Sequence, residues 1–252
     1  MANELKRQVA LVTGGGTGIG KGIVLAFAKA GIDVVINYSR SEKDAAETSA
    51  AAGKYGVNSM TVRCDVSDDE EVRRMMDEIE NRFGRLDILV NSAGYTDFID
   101  LDDLDGITDE IWDRTLDVNL KGCFVCSRAA VKLMKKNDGG SIINIAGTAG
   151  RTGIGSSIVY CASKAAILSL TRSMALSLAP AIQVNAISPG VVEDTRWCKG
   201  REQFSEVARE ATPMGRLVKT ADLADAAVWL VSGSRYINGQ NITIDGGRLV
   251  VQ

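Results

Sequence analysis

Between a short apolar strand and an amphipathic helix, the chain reads Thr13-Gly14-Gly15-Gly16-Thr17-Gly18-Ile19-Gly20. Small residues allow a backbone to approach a pyrophosphate closely, and the N-terminus of a helix offers free N–H groups and partial positive charge. The glycine spacing is wider than in G-x-G-x-x-G, so the segment is a variant of that fingerprint. Its strand–turn–helix context predicts a phosphate-binding turn.

Strands and helices are predicted to alternate along the rest of the chain. Seven strands are predicted, over 9–13, 34–38, 60–65, 86–91, 141–146, 183–188 and 241–245. Helices are predicted over 18–30, 42–54, 67–83, about 108–135 with a break near 118–120, about 157–179 and near 222–231. Strands that alternate with helices form a parallel sheet. We therefore expect one α/β domain over 1–252, a doubly wound, Rossmann-like parallel sheet of about seven strands with helices on both faces.

The composition excludes several kinds of chemistry. The 252 residues include no histidine, which rules out His-containing triads, His-ligated zinc or haem, and imidazole as an acid or base. A net charge of −3 does not indicate a nucleic-acid partner, and no apolar stretch approaches the roughly 18 residues of a membrane helix. The polar N-terminus does not resemble a signal peptide. Five cysteines, including Cys123 and Cys126 in a helix, are expected to be reduced, buried thiols in a cytoplasmic protein without a metal site.

Tyr160 and Lys164 are the best candidates for acid–base chemistry. Of the five tyrosines, Tyr160 alone has a lysine four residues later, and this spacing places both side chains on one helix face. Lowering the pKa of a phenol from 10 to about 7 takes roughly 4 kcal/mol, which one ammonium about 4 Å away supplies at an effective dielectric of 20. The pair is therefore expected to serve as general acid and base, although an exposed Tyr–Lys pair has the same pattern.

The end of the second predicted strand bears on the choice of cofactor. NAD-binding folds carry an acidic residue there, which bonds the ribose 2′-hydroxyl. This chain has Asn37-Tyr38-Ser39-Arg40-Ser41 instead. A guanidinium between two hydroxyls suits a 2′-phosphate, so Ser39 and Arg40 favour NADP(H) over NAD(H). A solvated loop arginine is the alternative interpretation of Arg40.

Further motifs follow the glycine turn in a fixed order. They are Asn91-Ser92-Ala93-Gly94, Asn119, Tyr160-x-x-x-Lys164, Pro189-Gly190, Asn238-Gly239-Gln240 and Asp245-Gly246-Gly247. Together with T-G-x-x-x-G-I-G at 13–20, they resemble the single-domain short-chain dehydrogenase/reductase family, with similarity to 3-oxoacyl-carrier-protein reductases. The resemblance covers essentially the whole chain.

This resemblance implies a role for each matching residue. Tyr160 corresponds to the catalytic acid/base, Lys164 to the residue that lowers the tyrosine pKa and bonds the nicotinamide ribose, and Asn119 to the residue that holds a proton-relay water. Cofactor contacts are implied for Gly14, Thr17, Gly18 and Ile19 at the diphosphate, Asp65 and Val66 at the adenine, Asn91, Ala93 and Gly94 along the dinucleotide, and Pro189 and Gly190 at the nicotinamide. The implied reaction transfers a hydride between NAD(P) and a carbonyl or secondary alcohol.

One position departs from the family pattern. Thirteen residues before Tyr160, where the family carries a serine that bonds the substrate oxygen, this chain has Gly147. Losing a comparable oxyanion donor costs on the order of 10²–10³ in turnover. Three interpretations remain open. A hydroxyl from Thr148, Ser156 or Ser157 replaces the serine, or the chain is a slow, serine-deficient form, natural or engineered, or it is a non-catalytic dinucleotide-binding module.

The resemblance implies that the segment over about 191–214, which includes Trp197, forms a lid over the substrate. Its Arg and Lys residues either meet an anionic substrate group or are exposed, and the acidic run at 100–105 is interpreted as a solvated loop. A 3-oxoacyl-thioester reductase competes with a sugar, polyol or small-ketone dehydrogenase. The resemblance also implies a homotetramer, built on the two long helices and the C-terminal strand region.

Overall fold

The computed structural model describes residues 8–233 and 236–251. Its sheet has seven strands in the order β3-β2-β1-β4-β5-β6-β7, and every neighbouring pair is parallel. The predicted fold class is confirmed, and the predicted strands agree with the observed ones to within two residues at each end. The strands are β1 Val9–Val12, β2 Asp33–Tyr38, β3 Ser59–Arg63, β4 Ile88–Asn91, β5 Gly140–Ile145, β6 Ile182–Pro189 and β7 Asn241–Ile244.

The helices agree with the predicted ones except at two places. The predicted helix over about 108–135 is divided by a π-helical segment, Asp117–Lys121, which includes the expected break. Two helices, α6 and α8, were not predicted. The helices are α1 Gly18–Lys29, α2 Glu42–Gly53, α3 Asp69–Phe83, α4 Asp109–Leu116, α5 Gly122–Met134, α6 Ala149–Thr152, α7 Ile158–Leu178, α8 Glu202–Glu210 and α9 Thr220–Ser232.

The sheet separates two apolar cores, one on each face. Because side chains alternate along a strand, Val12 faces the first core while Leu11 faces the second. Helices α1, α2 and α9 cover the first face, where Phe27 of α1 is fully buried. Helices α3, α5 and α7 cover the second face, where Met75 of α3 is buried. Burial on both faces explains why the strands read as continuous apolar runs.

The order of the strands creates a crevice between β1 and β4. From β1 the chain runs outward through β2 to β3, then returns to β4 and runs outward the other way to β7. Connections at the carboxyl ends of β1 and β4 therefore diverge, which is where doubly wound sheets bind ligands. Several hydrogen bonds join these ends; Thr13 N donates to Val90 O at 2.9 Å, and Ala93 N donates to Thr13 Oγ1 at 3.0 Å.

The features inferred from composition concern the cysteines, a metal site and membrane-spanning helices. All five cysteines are free and buried, including Cys123 and Cys126. Within residues 8–233 and 236–251, no cluster of acidic, Cys or His side chains is arranged to hold a metal ion. Over the same residues, no helix is both long enough and apolar enough to span a bilayer.

Candidate active site

The glycine-rich turn leaves β1 and enters α1 with almost no space for side chains. A Cβ at Gly20 would lie 2.4 Å from the carbonyl oxygen of Gly14, which is closer than atoms approach without displacement. Gly14 and Gly18 have φ of +63° and +50°, in the left-handed region that favours glycine. Gly14 N also donates to Asn37 Oδ1 at 3.2 Å, which ties the turn to the end of β2. The turn thus presents bare backbone and the N-terminus of α1 to the crevice.

A cavity of about 430 Å³ extends from this turn to the ends of β5, β6 and β7. It brings together most of the residues assigned to the dinucleotide, the chemistry and the substrate. Of the predicted site residues, its wall includes Gly14, Thr17, Gly18, Ile19, Ala93, Gly94, Gly147, Thr148, Tyr160, Lys164, Pro189, Gly190 and Trp197.

A second cavity of about 210 Å³ lies on the other side of the glycine turn, at the ends of β2 and β3. Its wall includes the residues expected at the adenosine half, namely Ser39, Arg40, Asp65 and Val66. The two cavities share Gly14, Thr17, Ala93 and Gly94, so they form one groove across the crevice. An elongated groove with a close-approach turn at its middle fits a dinucleotide, whose diphosphate lies between two nucleosides.

The Tyr–Lys pair lies at the inner end of this groove. Tyr160 is in the first turn of α7, where Ser157 Oγ accepts a hydrogen bond from Tyr160 N at 3.3 Å and caps the helix. Lys164 follows one turn later, is 5% exposed, and its Nζ lies 5.5 Å from the centre of the Tyr160 ring. Nζ donates to Ile145 O at 2.9 Å, so the end of β5 holds the ammonium in place.

The pKa of Tyr160 differs from the expectation. Burial, with a smaller contribution from Cys161, raises the pKa of the phenol to about 12, opposite to the lowering expected from the lysine. Burial likewise lowers the pKa of Lys164 to about 8. The ammonium is directed at a carbonyl oxygen, so in this geometry desolvation of the phenolate outweighs its attraction to the lysine. The lysine alone therefore does not tune the phenol.

The two predicted asparagines lie outside the main cavities. Asn119, in the π-helical segment, accepts from Tyr95 N at 2.8 Å and donates to Tyr95 O and to Ser163 Oγ, each at 3.0 Å. It joins the loop after β4 to α7 and has no hydrogen bond to Lys164. Asn91 donates to Ser127 Oγ and Asn144 Oδ1, each at 2.9 Å, and its own Oδ1 is buried with no partner among the described residues.

The three hydroxyls that could replace the missing serine lie in different places. Ser157 caps α7, and Ser156 Oγ bonds Thr96 Oγ1; neither serine is part of the cavity wall. Thr148 is in the wall beside Gly147, and its N donates to Pro189 O at 3.0 Å. A Cβ at Gly147 would meet nothing closer than 4.0 Å, so the position has room for a side chain.

The lid contacts the loop after β4 through an aromatic cluster, defined here as Phe98, Trp197 and Phe204. The centre of the Trp197 ring lies 5.3 Å from that of Phe98 and 5.0 Å from that of Phe204 on α8. The Arg201 guanidinium stacks over Phe98, with Cζ 3.3 Å from the ring centre, and does not enter the cavity wall. The predicted lid is thus joined to the loop after β4 through Phe98, Arg201 and the cavity residues Trp197 and Phe204.

Sequence reasoning missed two polar residues of the groove, Tyr95 and Arg248, and included Arg196 only among the basic residues of the predicted lid. Arg196 of the lid lines both cavities and pairs with Asp44 of α2 at 2.7 Å. Tyr95 lies where the cavities meet and donates to Asp97. Arg248, just after β7, lines the inner cavity. Arg248 comes from a distant part of the chain, and no local motif marked it.

Comparisons with known proteins extend over almost the whole chain. The family model described as enoyl-(acyl carrier protein) reductase matches residues 14–248. Galactitol 2-dehydrogenase of Agrobacterium fabrum is 38% identical, over 97% of this chain and 98% of that protein. The 3-oxoacyl-(acyl-carrier-protein) reductase FabG of Staphylococcus aureus is 35% identical, over 94% of this chain and 96% of that protein. The structure of an NAD⁺-bound xylitol dehydrogenase has a TM-score of 0.90 at 29% identity, over 97% of this chain and 100% of the other.

These matches include the glycine turn, the Tyr–Lys helix and the strand ends that form the groove. The chain belongs to the short-chain dehydrogenase/reductase family, whose members are nicotinamide-dependent oxidoreductases acting on alcohol and carbonyl groups.

Proposed function

We propose that this protein interconverts a carbonyl and a secondary alcohol with NADP(H), using Tyr160 as the general acid and base. One observation carries the proposal. Tyr160 and Lys164 line the same cavity as the glycine turn and the Pro189–Gly190 strand end. Proton-transfer groups and a dinucleotide site therefore meet in one enclosed space, as this reaction requires.

A nicotinamide dinucleotide bound in the groove supplies or accepts the hydride. Gly14, Thr17, Gly18 and Ile19 would hold its diphosphate, and Pro189 and Gly190 would flank its nicotinamide. Asp65 and Val66 would meet its adenine. Ala93 and Gly94, shared by both cavities, would line its middle, and Asn91 is proposed to support this wall from behind. Lys164 would bond the nicotinamide ribose.

Tyr160 gives its proton to the carbonyl oxygen as the carbonyl carbon gains the hydride. A phenol whose pKa is raised by burial carries its proton at neutral pH, so the proton needed for reduction is present, but such a phenol is a weaker acid than one with a pKa near 7. In the direction of oxidation the same oxygen must accept a proton, so further positive charge at the site would be needed to lower the phenol pKa. Asn119 is proposed to hold the water that returns the proton.

The preference for NADP(H) rests on the ends of β2 and β3. Arg40 lines the outer cavity beside Ser39 and Ser41. Two other arginines in that wall already have acidic partners, because Arg114 pairs with Asp65 and Arg196 with Asp44. No ion pair is found for Arg40 among the described residues, which leaves its guanidinium available for a 2′-phosphate. NAD(H) is the alternative.

The test is a substrate screen with both NADPH and NADH over ketones, oxo esters and oxo thioesters, with polyols for the reverse direction. Tyr160→Phe removes the proton and keeps the ring, so we expect turnover to fall by at least about 10² while the dissociation constant of the dinucleotide changes little. Retained turnover in Tyr160→Phe would contradict the assigned role.

The second candidate is a non-catalytic or weakly active dinucleotide-binding module, which Gly147 favours. Single-turnover hydride transfer separates the two, since a module binds the dinucleotide and transfers no hydride to any substrate of the screen. The relatives named as a FabG reductase and a galactitol dehydrogenase support the oxoacyl and polyol classes of substrate equally.

We also propose a homotetramer in the cytoplasm. Large apolar side chains are exposed on the long helices, including Trp112 on α4, Phe124 on α5 and Leu176 on α7, which is 84% exposed. Exposed apolar surface on neighbouring helices is typical of an interface. Light scattering at several protein concentrations tests the tetramer. The five free, buried thiols support a reducing compartment.

A further inference from the structure

Arg248 is a positively charged group that the chemistry described above does not use. It begins the short 3₁₀ turn Arg248–Val250 after β7 and contributes to the wall of the inner cavity, which also contains Tyr160 and Lys164. Apolar neighbours in that wall include Ile154 and Leu249. A cation in a partly apolar cavity is poorly solvated, so its partner matters more than that of a surface arginine.

No hydrogen bond or ion pair of the Arg248 side chain is found among the residues that the structure describes. Its Nε is buried, and no acceptor lies within hydrogen-bonding distance of it in residues 8–233 and 236–251. Asp245, three residues earlier, has a carboxylate that already accepts from Gly247 N at 2.9 Å and Leu249 N at 2.7 Å. A buried N–H without an acceptor is unfavourable, and such groups indicate a ligand that completes them.

The other charged groups of this cavity are satisfied. Lys164 donates to Ile145 O, and Arg196 pairs with Asp44. Within the part of the chain that the structure describes, Arg248 is therefore the one permanent cation of the inner cavity that lacks a partner.

The backbone that carries Arg248 is held firmly. Besides the two bonds to Asp245, Met214 N donates to Gly246 O at 3.2 Å, and the side chain of Thr212 lies against Gly246. The turn is thus fixed at the point where the lid rejoins the domain. A fixed guanidinium can impose specificity because little conformational freedom is lost on binding.

The phosphates of a dinucleotide are not the natural partner of this arginine. The 2′-phosphate would lie at β2, and the order β2-β1-β4-β5-β6-β7 puts five strand spacings, roughly 24 Å, between that strand and β7. The diphosphate turn follows β1, three strand spacings beyond β6. Arg248 instead lines the inner cavity together with Tyr160 and Lys164, and Asp245, three residues before it, packs against Gly190.

We infer that Arg248 determines specificity for substrates that carry an anionic oxygen group, a carboxylate or a phosphate, attached to the reacting carbonyl or alcohol. The inference rests on the proposed function and names the class of its substrate. A planar guanidinium binds such groups through paired hydrogen bonds. The apolar wall near it would hold the carbon chain between the anion and the carbonyl.

The experiment uses matched substrates that differ only in charge. Acetoacetate is compared with methyl acetoacetate, and dihydroxyacetone phosphate with dihydroxyacetone, by measuring kcat/KM with saturating dinucleotide. We expect the wild-type protein to prefer the anionic member of at least one pair, and the preferred pair tells carboxylate from phosphate. Arg248→Gln should lower kcat/KM for that anion by roughly ten- to a hundredfold and leave the neutral partner within about twofold.

Two variants control for charge and folding. Arg248→Lys keeps the charge without the paired donors and should lie between wild type and Arg248→Gln. Arg196→Gln removes a cation from the same cavity that already has a partner, so it should not change the anion-to-neutral ratio. Three results would each overturn the inference. The first is an equal loss of kcat/KM on the anionic and neutral members of a pair in Arg248→Gln. The second is a preference for the anion that Arg196→Gln abolishes, and the third is the lack of any such preference in the wild type.

A binding measurement separates failure of this inference from failure of the proposed function. Butyrate, butyramide and inorganic phosphate are titrated into wild type and Arg248→Gln by calorimetry. If no ketone is reduced but butyrate or phosphate binds at least about tenfold more tightly to wild type, the proposed function fails and the anion site stands. If butyrate and phosphate each bind wild type and Arg248→Gln equally, the anion site is overturned, whether or not the protein turns over a substrate.

Discussion

Of the three hydroxyl residues considered for the missing serine, only Thr148 lines the inner cavity, so we expect it to take over that task. It lines the inner cavity next to Gly147, and its backbone is tied to Pro189 at the end of β6. Thr148→Val keeps the shape of the side chain and removes the hydroxyl. We expect single-turnover hydride transfer to slow by on the order of 10², with the dissociation constant of the dinucleotide unchanged.

Restoring a hydroxyl at the neighbouring position provides the control. A Cβ at Gly147 has space, so the double variant Gly147→Ser/Thr148→Val should regain much of the lost rate. A full rate in Thr148→Val alone would contradict this assignment. A large gain from Gly147→Ser in the wild-type background would instead identify the slow, serine-deficient form.

Arg40 is expected to decide the preference between dinucleotides. Arg40→Asp puts a carboxylate where NAD-binding folds bond the ribose 2′-hydroxyl, and it repels a 2′-phosphate. We expect the ratio of kcat/KM for NADPH to that for NADH to fall by at least about tenfold. Arg82→Asp, with the same charge change on the exposed face of α3, should leave the ratio unchanged. An unchanged ratio in Arg40→Asp would mean that Arg40 is a solvated loop residue.

At the residue scale, the sequence predicts the site residues that a local pattern marks and misses those that only the folded chain brings into the cavity. Tyr160 and Lys164 are found because a spacing of four places them on one helix face, and Gly14 and Gly18 because strand, turn and helix are contiguous. Arg248 follows a glycine pair that indicates only a turn, and its place in the cavity depends on the packing of β7 beside β6. The pKa of Tyr160 could not be predicted either, because burial depends on the fold.

Among the helices, α8 shows where sequence periodicity was overlooked. Residues 202–210 carry Phe204, Val207 and Ala208, a spacing of three and four that is typical of an amphipathic helix. Only a lid over about 191–214 is predicted for this segment from the sequence, without a helix. The break in the helix near 118–120 was predicted and corresponds to the π-helical segment that carries Asn119.

The aromatic cluster of Phe98, Trp197 and Phe204 is expected to hold the lid closed over substrate. Each aromatic contact contributes about 0.5–1.5 kcal/mol, so Trp197→Ala should raise KM for the substrate by about tenfold, with a smaller change in kcat. Substrate KM is measured with saturating dinucleotide. Trp197→Phe keeps a ring at the position and should restore most of the affinity. If Trp197→Ala has the KM of wild type, the cluster does not control the lid.

For the molecule as a whole, two buried thiols predict a loss of stability at alkaline pH. Burial, with smaller contributions from nearby acids, raises the pKa of Cys64 to about 12, and burial raises that of Cys123 to about 12, from a usual 9.0. The folded state keeps protons that the unfolded chain releases above pH 9. The free energy of unfolding is therefore complete below pH 9 and falls as the pH rises towards 12.

Lys164 acts in the opposite direction, because its lowered pKa adds stability as the pH rises from about 8 to 10.5. It is one group against several, because burial also raises the pKa of Cys126, Cys161, Cys198 and Tyr160. Urea unfolding between pH 8.5 and 11 measures the slope. Cys64→Ala should make the decline above pH 9 shallower by about 1.4 kcal/mol per pH unit. Val62→Ala, a buried change in the same core, should lower stability without altering the slope. Equal slopes for Cys64→Ala and wild type would contradict this prediction.

The ion pair between Arg196 and Asp44 has a consequence for the order of events during turnover. Arg196 lines both cavities, so this bond joins the lid to α2 beside the shared wall. A dinucleotide would span both cavities, whereas the substrate needs only the inner one. The dinucleotide is therefore expected to arrive first and leave last, through an opening that this bond must release. Its two side chains are 70% and 40% exposed, so salt screens them, and a cycle limited by dinucleotide departure would quicken with ionic strength.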